Sequence, residues 1–133
     1  MTTELLKDSL LSLFPGLQGA YLYGSRAQGY AGSDSDVDLG LLWPFGKSPT
    51  AVELFGFANQ LEDLLGASVD LVDMRQTNTV MQFQILTTGE RILCLDEYAC
   101  AEFEMVCYSM YQRLEEERKY IMQDILDRGS VYG

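Results

Sequence analysis

The sequence predicts an α/β domain, a sheet of about four strands flanked by helices and closed by a long C-terminal helix. Two observations predict it. Short apolar runs bounded by glycine and aspartate alternate with amphipathic segments of helical period. Hydrophobic residues make up 47% of the 133 positions, enough for one real core and too many for a disordered chain. The chain is therefore read as a single domain, 1–133.

Each element has a local reason. Leu5, Leu6, Leu10, Leu11, Leu13 and Phe14 have helical spacing, and Pro15-Gly16 stops that helix. Residues 20–23 form a strand that ends at Gly24. A turn of helix is expected at 26–28 and a loop over the glycine-, serine- and aspartate-rich stretch 29–35. A second strand covers 36–43, before Pro44 to Pro49 break it. Thr50-x-x-Glu53 is a capping box ahead of an amphipathic helix with Leu54, Phe57, Leu61 and Leu64-Leu65 on one side, closed by Gly66. Residues 68–73 make a third strand. Asn78 caps a helix running to Leu86, with Gly89 at its end, and 91–95 form a fourth strand. The long helix spans about 97–126, with Ala99, Phe103, Val106, Met110, Leu114, Ile121 and Ile125 as its apolar stripe. Glu115-Glu116-Glu117 interrupts the stripe and reads as a solvated face.

Composition narrows the function. There is no histidine, so neither the usual zinc ligand nor the usual general base is present. The net charge is −11, and the nine Lys and Arg residues are scattered. A direct nucleic-acid-binding surface needs clustered positive charge and is not expected. A polyanionic ligand would need metal ions or backbone N–H groups. Cys94, Cys100 and Cys107 form no C-x-x-C pair, and on one helix Cys100 and Cys107 would lie about 10 Å apart, too far to bridge. Reduced thiols, no signal-peptide pattern at the start and no apolar run approaching the roughly 20 residues of a membrane span point to the cytoplasm.

The chemistry is concentrated in YGSRAQGYAGSDSDVDL, residues 23–39. Gly24-x-x-x-x-Gly29 is not a phosphate loop, because Tyr30-Ala31 stand where Lys-Ser/Thr belong. Asp34-x-Asp36-x-Asp38 is not a calcium loop, because Leu39 and Phe45 occupy the glycine and glutamate positions. Alternation along a strand puts Asp36 and Asp38 on one face, with Cα atoms roughly 6–7 Å apart, while Val37, Leu39 and Leu41 face the other way. Two carboxylates so close repel unless a cation neutralises them, and an all-oxygen ligand set selects Mg²⁺ or Mn²⁺. The third strand offers Asp70 and Asp73 on opposite faces. Asp70 is the expected partner, since Leu71 then points to the core. Gly24 lets the backbone approach a phosphate, and the following N–H groups with the Ser25 hydroxyl can bind its oxygens. Metal beside a phosphate cradle means phosphoryl or nucleotidyl transfer.

Gly24-Ser25, ten residues, Asp36-x-Asp38, then Asp70 on a later strand resembles the signature of polymerase-β-type nucleotidyltransferases. The match extends to Arg26, and the small size resembles the minimal nucleotidyltransferases of that superfamily. The resemblance implies an α+β polymerase-β-like fold with a mixed sheet, and the whole chain as one nucleotidyltransferase domain. It implies that Asp36 and Asp38 bind two Mg²⁺ ions and that Asp70 completes the metal site and accepts the proton of the attacking hydroxyl. Gly24 and Ser25 would hold the β,γ-phosphates of ATP, assisted by Arg26. Stand-alone proteins of this kind act as antitoxins in type VII HEPN/MNT systems and transfer AMP from ATP to a tyrosine of a HEPN-domain RNase toxin. Two other functions stay open: nucleotide transfer to a small molecule, for which 133 residues leave little room, and an antitoxin that masks its toxin by binding alone.

Overall fold

The computed structural model describes residues 3–24 and 36–129. The expected helical turn at 26–28 and loop at 29–35, with Ser25, Arg26 and Asp34, lie outside the described residues. The element order is α1 (Thr3–Leu13), β1 (Gly19–Tyr23), β2 (Val37–Leu42), α2 (Ala51–Leu65), β3 (Val69–Asp73), α3 (Thr79–Thr88), β4 (Glu90–Cys94) and α4 (Glu97–Arg128). The four strands form one mixed sheet in the order β3-β2-β1-β4. β1 is antiparallel to both β2 and β4, whereas β2 and β3 are parallel. A parallel pair needs a crossover, and α2 supplies it.

Strand alternation divides the core into two layers. Ala20, Leu22, Val37, Leu39, Leu41, Val69 and Leu71 face α1 and α2, where Leu6, Leu10, Phe14, Leu61 and Leu65 cover them. Phe14 packs edge-on against Trp43 and Phe57, with centroids 5.7 and 4.8 Å away. Tyr21, Leu42 and Met74 face the other way, toward Ile85 of α3 and Cys100, Phe103 and Cys107 of α4. At one end of the sheet Arg75 ties the layers together. Its Nε donates to the Trp43 carbonyl at 2.6 Å, its Nη2 donates to Gln18 Oε1 at 2.9 Å, and its guanidinium lies 5.5 Å from the Phe103 ring centroid.

The helix boundaries follow local chemistry. Thr50 and Glu53 form the reciprocal capping box, and Gly66 ends α2 at φ +69°, a left-handed conformation that glycine adopts without strain. Asn78 caps α3 by accepting from the Met81 N–H at 2.8 Å. Thr50→Ala is expected to lose about 1 kcal/mol of stability. A thermal melt should therefore shift down by roughly 3–5 °C without loss of fold.

Three expectations need correction. Leu64, expected on the packed side of α2, is exposed, while Leu61 and Leu65 are buried. β2 begins at Val37, so Asp36 stands just ahead of the strand rather than in it. The face of α4 that packs on the sheet is Cys100, Phe103 and Cys107, whereas Val106, Met110, Ile121 and Ile125 are exposed. The three cysteines are free, Cys100 and Cys107 buried and Cys94 half-buried. Among the described residues no helix is long and apolar enough to cross a membrane.

Candidate active site

The site is built where β1 ends and the parallel strands β2 and β3 begin. The Val37 N–H donates to the Ser68 carbonyl at 2.8 Å, and the Val69 N–H donates to Glu62 Oε1 of α2 at 3.0 Å. These bonds hold the starts of both strands level. The register then pairs Tyr23 with Asp38 and Asp38 with Asp70. Adjacent strands lie about 4.8 Å apart, so one row crosses three strands on one face of the sheet: a phenol and two carboxylates. Asp36 is exposed beside this row, Asp38 is half-buried and Asp70 is exposed.

Gly24 closes the row. Its φ is +74°, and a Cβ there would run into Asp38 Oδ2. Only glycine combines that backbone conformation with that close approach. Asp73 goes elsewhere, as its parity requires. It faces the α1/α2 layer opposite Leu41 and is buried, and its Oδ1 accepts the Arg75 N–H at 3.1 Å.

Among the described residues the electrostatics are those of clustered negative charge. Burial first, then Asp70 and then Asp36, raise the Asp38 carboxyl above its ordinary value. Burial, then Asp70 and Asp38, push the Tyr23 phenol up to about 12. Among the described residues no lysine or arginine forms an ion pair with Asp36, Asp38 or Asp70. A divalent cation would offset this charge, and carboxylate oxygens suit Mg²⁺ or Mn²⁺. Among the described residues no three acidic or cysteine groups close tightly enough to hold a metal unaided. A cation here would complete its shell from water and nucleotide phosphate oxygens, the usual habit of Mg²⁺. Beside Asp70 a cleft of about 330 Å³ opens between α2 and β3, lined by Leu54, Phe55, Ala58, Asn59 and Glu62.

The raised Asp38 carboxyl has a consequence for stability. The folded state holds this proton more tightly than the unfolded state does. Stability therefore falls as pH climbs from the ordinary 3.8 through the raised value. In metal-free buffer near neutral pH, Asp38→Asn should melt higher than the wild type. The difference should vanish below the ordinary value, which melts across that pH range will test.

Sequence reasoning did not single out Tyr23. Its parity with Asp38 and its place immediately before Gly24 were the available signals. Gly89 also abuts it, since a Cβ at Gly89 would come 3.1 Å from Tyr23 Cβ.

A mixed four-stranded sheet with helices on both faces, and paired aspartates beside a close-packed glycine, is the architecture of a nucleotidyltransferase. A model of the polymerase beta nucleotidyltransferase family matches residues 8–98, and the chain belongs to this family. It is 33% identical over 126 residues to the protein adenylyltransferase MntA of Shewanella oneidensis, an alignment spanning 92% of this chain and 84% of that protein. A solved toxin–antitoxin structure with AMP-PNP contains a chain 30% identical to it, with TM-score 0.80, covering 95% of this chain and 99% of that one. Another, a tri-AMPylated Shewanella oneidensis HEPN toxin in complex with MNT antitoxin, contains a chain 30% identical, with TM-score 0.67, covering 92% of this chain and 91% of that one.

Proposed function

We propose that this chain is the antitoxin of a type VII HEPN/MNT toxin–antitoxin system and works as a protein adenylyltransferase. It transfers AMP from ATP to a tyrosine hydroxyl of its HEPN RNase toxin and so silences it. The whole chain acts as one nucleotidyltransferase domain in the cytoplasm. The observation that carries the reading is the alignment of Asp38 with Asp70 on parallel strands, with Gly24 closing on Asp38. Its similarity to a protein adenylyltransferase supports a protein acceptor.

In this reading Asp36 and Asp38 hold Mg²⁺, two ions with ATP bound, and Asp70 completes the site. The bound ions would supply charge neutralisation at the triphosphate. Gly24 and Ser25 cradle the β,γ-phosphates, and Arg26 assists. The acceptor oxygen bonds to the α-phosphorus, the bond to the bridging oxygen breaks, and pyrophosphate departs. Asp70, exposed at the open edge of the row, takes the hydroxyl proton.

Purified protein, Mg²⁺ and α-labelled ATP should label the toxin, and γ-labelled ATP should not. Absence of label while a tight complex still forms would mean neutralisation by binding alone. Label on a small molecule instead would move the acceptor out of the protein class.

A further inference from the structure

Helix α4 is 32 residues long, and at ~1.5 Å per residue it spans about 48 Å. Only its first half is packed. Cys100, Phe103 and Cys107 are buried, and Tyr111 stacks on Phe83 with centroids 3.7 Å apart. From Glu116 to Arg128 every residue is exposed. This arm is not polar: Ile121 is 58%, Met122 58%, Ile125 56% and Leu126 66% exposed. At about 100° per residue, Ile121 and Ile125 fall on the same line as Phe103, Cys107 and Leu114. The face that packs on the sheet therefore continues, uncovered, past the edge of the domain.

Four observations choose its occupant. The match to the catalytic family ends at residue 98, in the first turn of α4, so the arm lies beyond the matched nucleotidyltransferase region. The toxin–antitoxin structure with AMP-PNP covers 95% of this chain, which leaves too few residues to omit a helix of 32. The arm's arginines are held along the helix itself, Arg113 to Glu117 at 3.8 Å, Arg118 to Glu115 at 3.3 Å and Arg128 to Asp124 at 3.3 Å. With Lys119 counted, residues 113–128 carry four basic side chains against five acidic ones, which is no basic row for a nucleic-acid backbone. Pairing with a second copy would bring together two chains of net charge −11, which repel.

We propose that the distal half of α4 is the docking arm for the cognate HEPN toxin, its Leu114, Ile121, Met122, Ile125 and Leu126 stripe lying in an apolar groove of that protein. This is helix-in-groove recognition, read through anchors at helical spacing. It rests on the antitoxin reading above. It places binding on an element separate from the aspartate row, so the toxin stays held while its tyrosine is presented to the site.

The test uses the full chain carrying Ile121→Glu/Ile125→Glu, a second chain carrying Ile121→Ala/Ile125→Ala, and the cognate HEPN toxin. Calorimetry should give an affinity weaker by at least about 30-fold for the glutamate chain and about 10-fold for the alanine chain, losses typical of central interface anchors. AMP-PNP binding should be unchanged in both, and alanine preserves the helix. Unchanged toxin affinity in the alanine and glutamate chains overturns the proposal. A wild-type dimer that becomes monomeric in the variants, with toxin binding intact, also overturns it and assigns the stripe to a second copy. If the wild type binds but never labels the toxin, and the variants lose binding, the arm stands and adenylyl transfer falls. If the variants bind and label like the wild type, adenylyl transfer stands and the arm falls.

Discussion

The Asp36→Asn/Asp38→Asn chain is expected to label its partner at less than about one hundredth of the wild-type rate. Groups that merely support metal ligands are worth about 10–100-fold, so removing two candidate ligands should exceed that range. Most inactive variants raise the question of misfolding. Here the electrostatics separate the two causes. Burial, then the carboxylates of Asp70 and Asp36, raise the Asp38 carboxyl, so charging it costs stability. Neutralising it relieves repulsion, so the inactive chain should melt no lower than the wild type in metal-free buffer. Added Mg²⁺ with ATP should raise the melting temperature of the wild type and leave the variant where it was. A variant that loses activity and also melts markedly lower would mean that the aspartates serve the fold rather than the chemistry.

Gly24→Ala should produce the opposite pattern, with stability and activity falling together. A φ of +74° costs a residue with a Cβ roughly 1–2 kcal/mol, and that Cβ also points into Asp38 Oδ2. Relief can come only by moving the carboxylate or the end of β1. Either shift misplaces a candidate metal ligand, and a displacement of an ångström at a reacting centre is worth about 100-fold. Steady-state labelling and melts of the same preparation measure both effects. Retention of full activity would show that the strand end adjusts freely and that the close approach of Gly24 to Asp38 serves no purpose.

The parts of the fold legible in the sequence are those governed by local chemistry. Thr50 with Glu53, Gly66 and Asn78 each mark a helix end through a hydrogen bond or a backbone conformation that involves only nearby residues. The period of two along a strand separated Asp70 from Asp73, and the two do face opposite layers. What the sequence left hidden is non-local. Nothing within residues 90–94 says that this strand crosses to pair with β1 rather than β3. The covered length of α4 is hidden for the same reason: Phe103, Cys107, Leu114, Ile121 and Ile125 share one line, and nothing in that line says where the sheet beneath it ends. The apolar residues of the arm strengthened the stripe without belonging to the core. Tyr23 was passed over because an aromatic residue in a strand reads as packing until its neighbours across the sheet are known.

The parallel pairing of β2 with β3 also limits how this chain can change in length. Asp38 and Asp70 meet because Val37 is level with Val69, and the connection that sets this is the whole segment from Trp43 through α2 to Ser68. A strand shifted by one residue presents its other face. An insertion or deletion absorbed by sliding β3 one step would bring Val69 or Leu71 to the row and turn Asp70 into the core. Length variation is therefore tolerable in the Pro44–Pro49 turn, where a loop can bulge, and intolerable between Gly66 and Asp70. Natural variants of the chain should show gaps in the first stretch and none in the second.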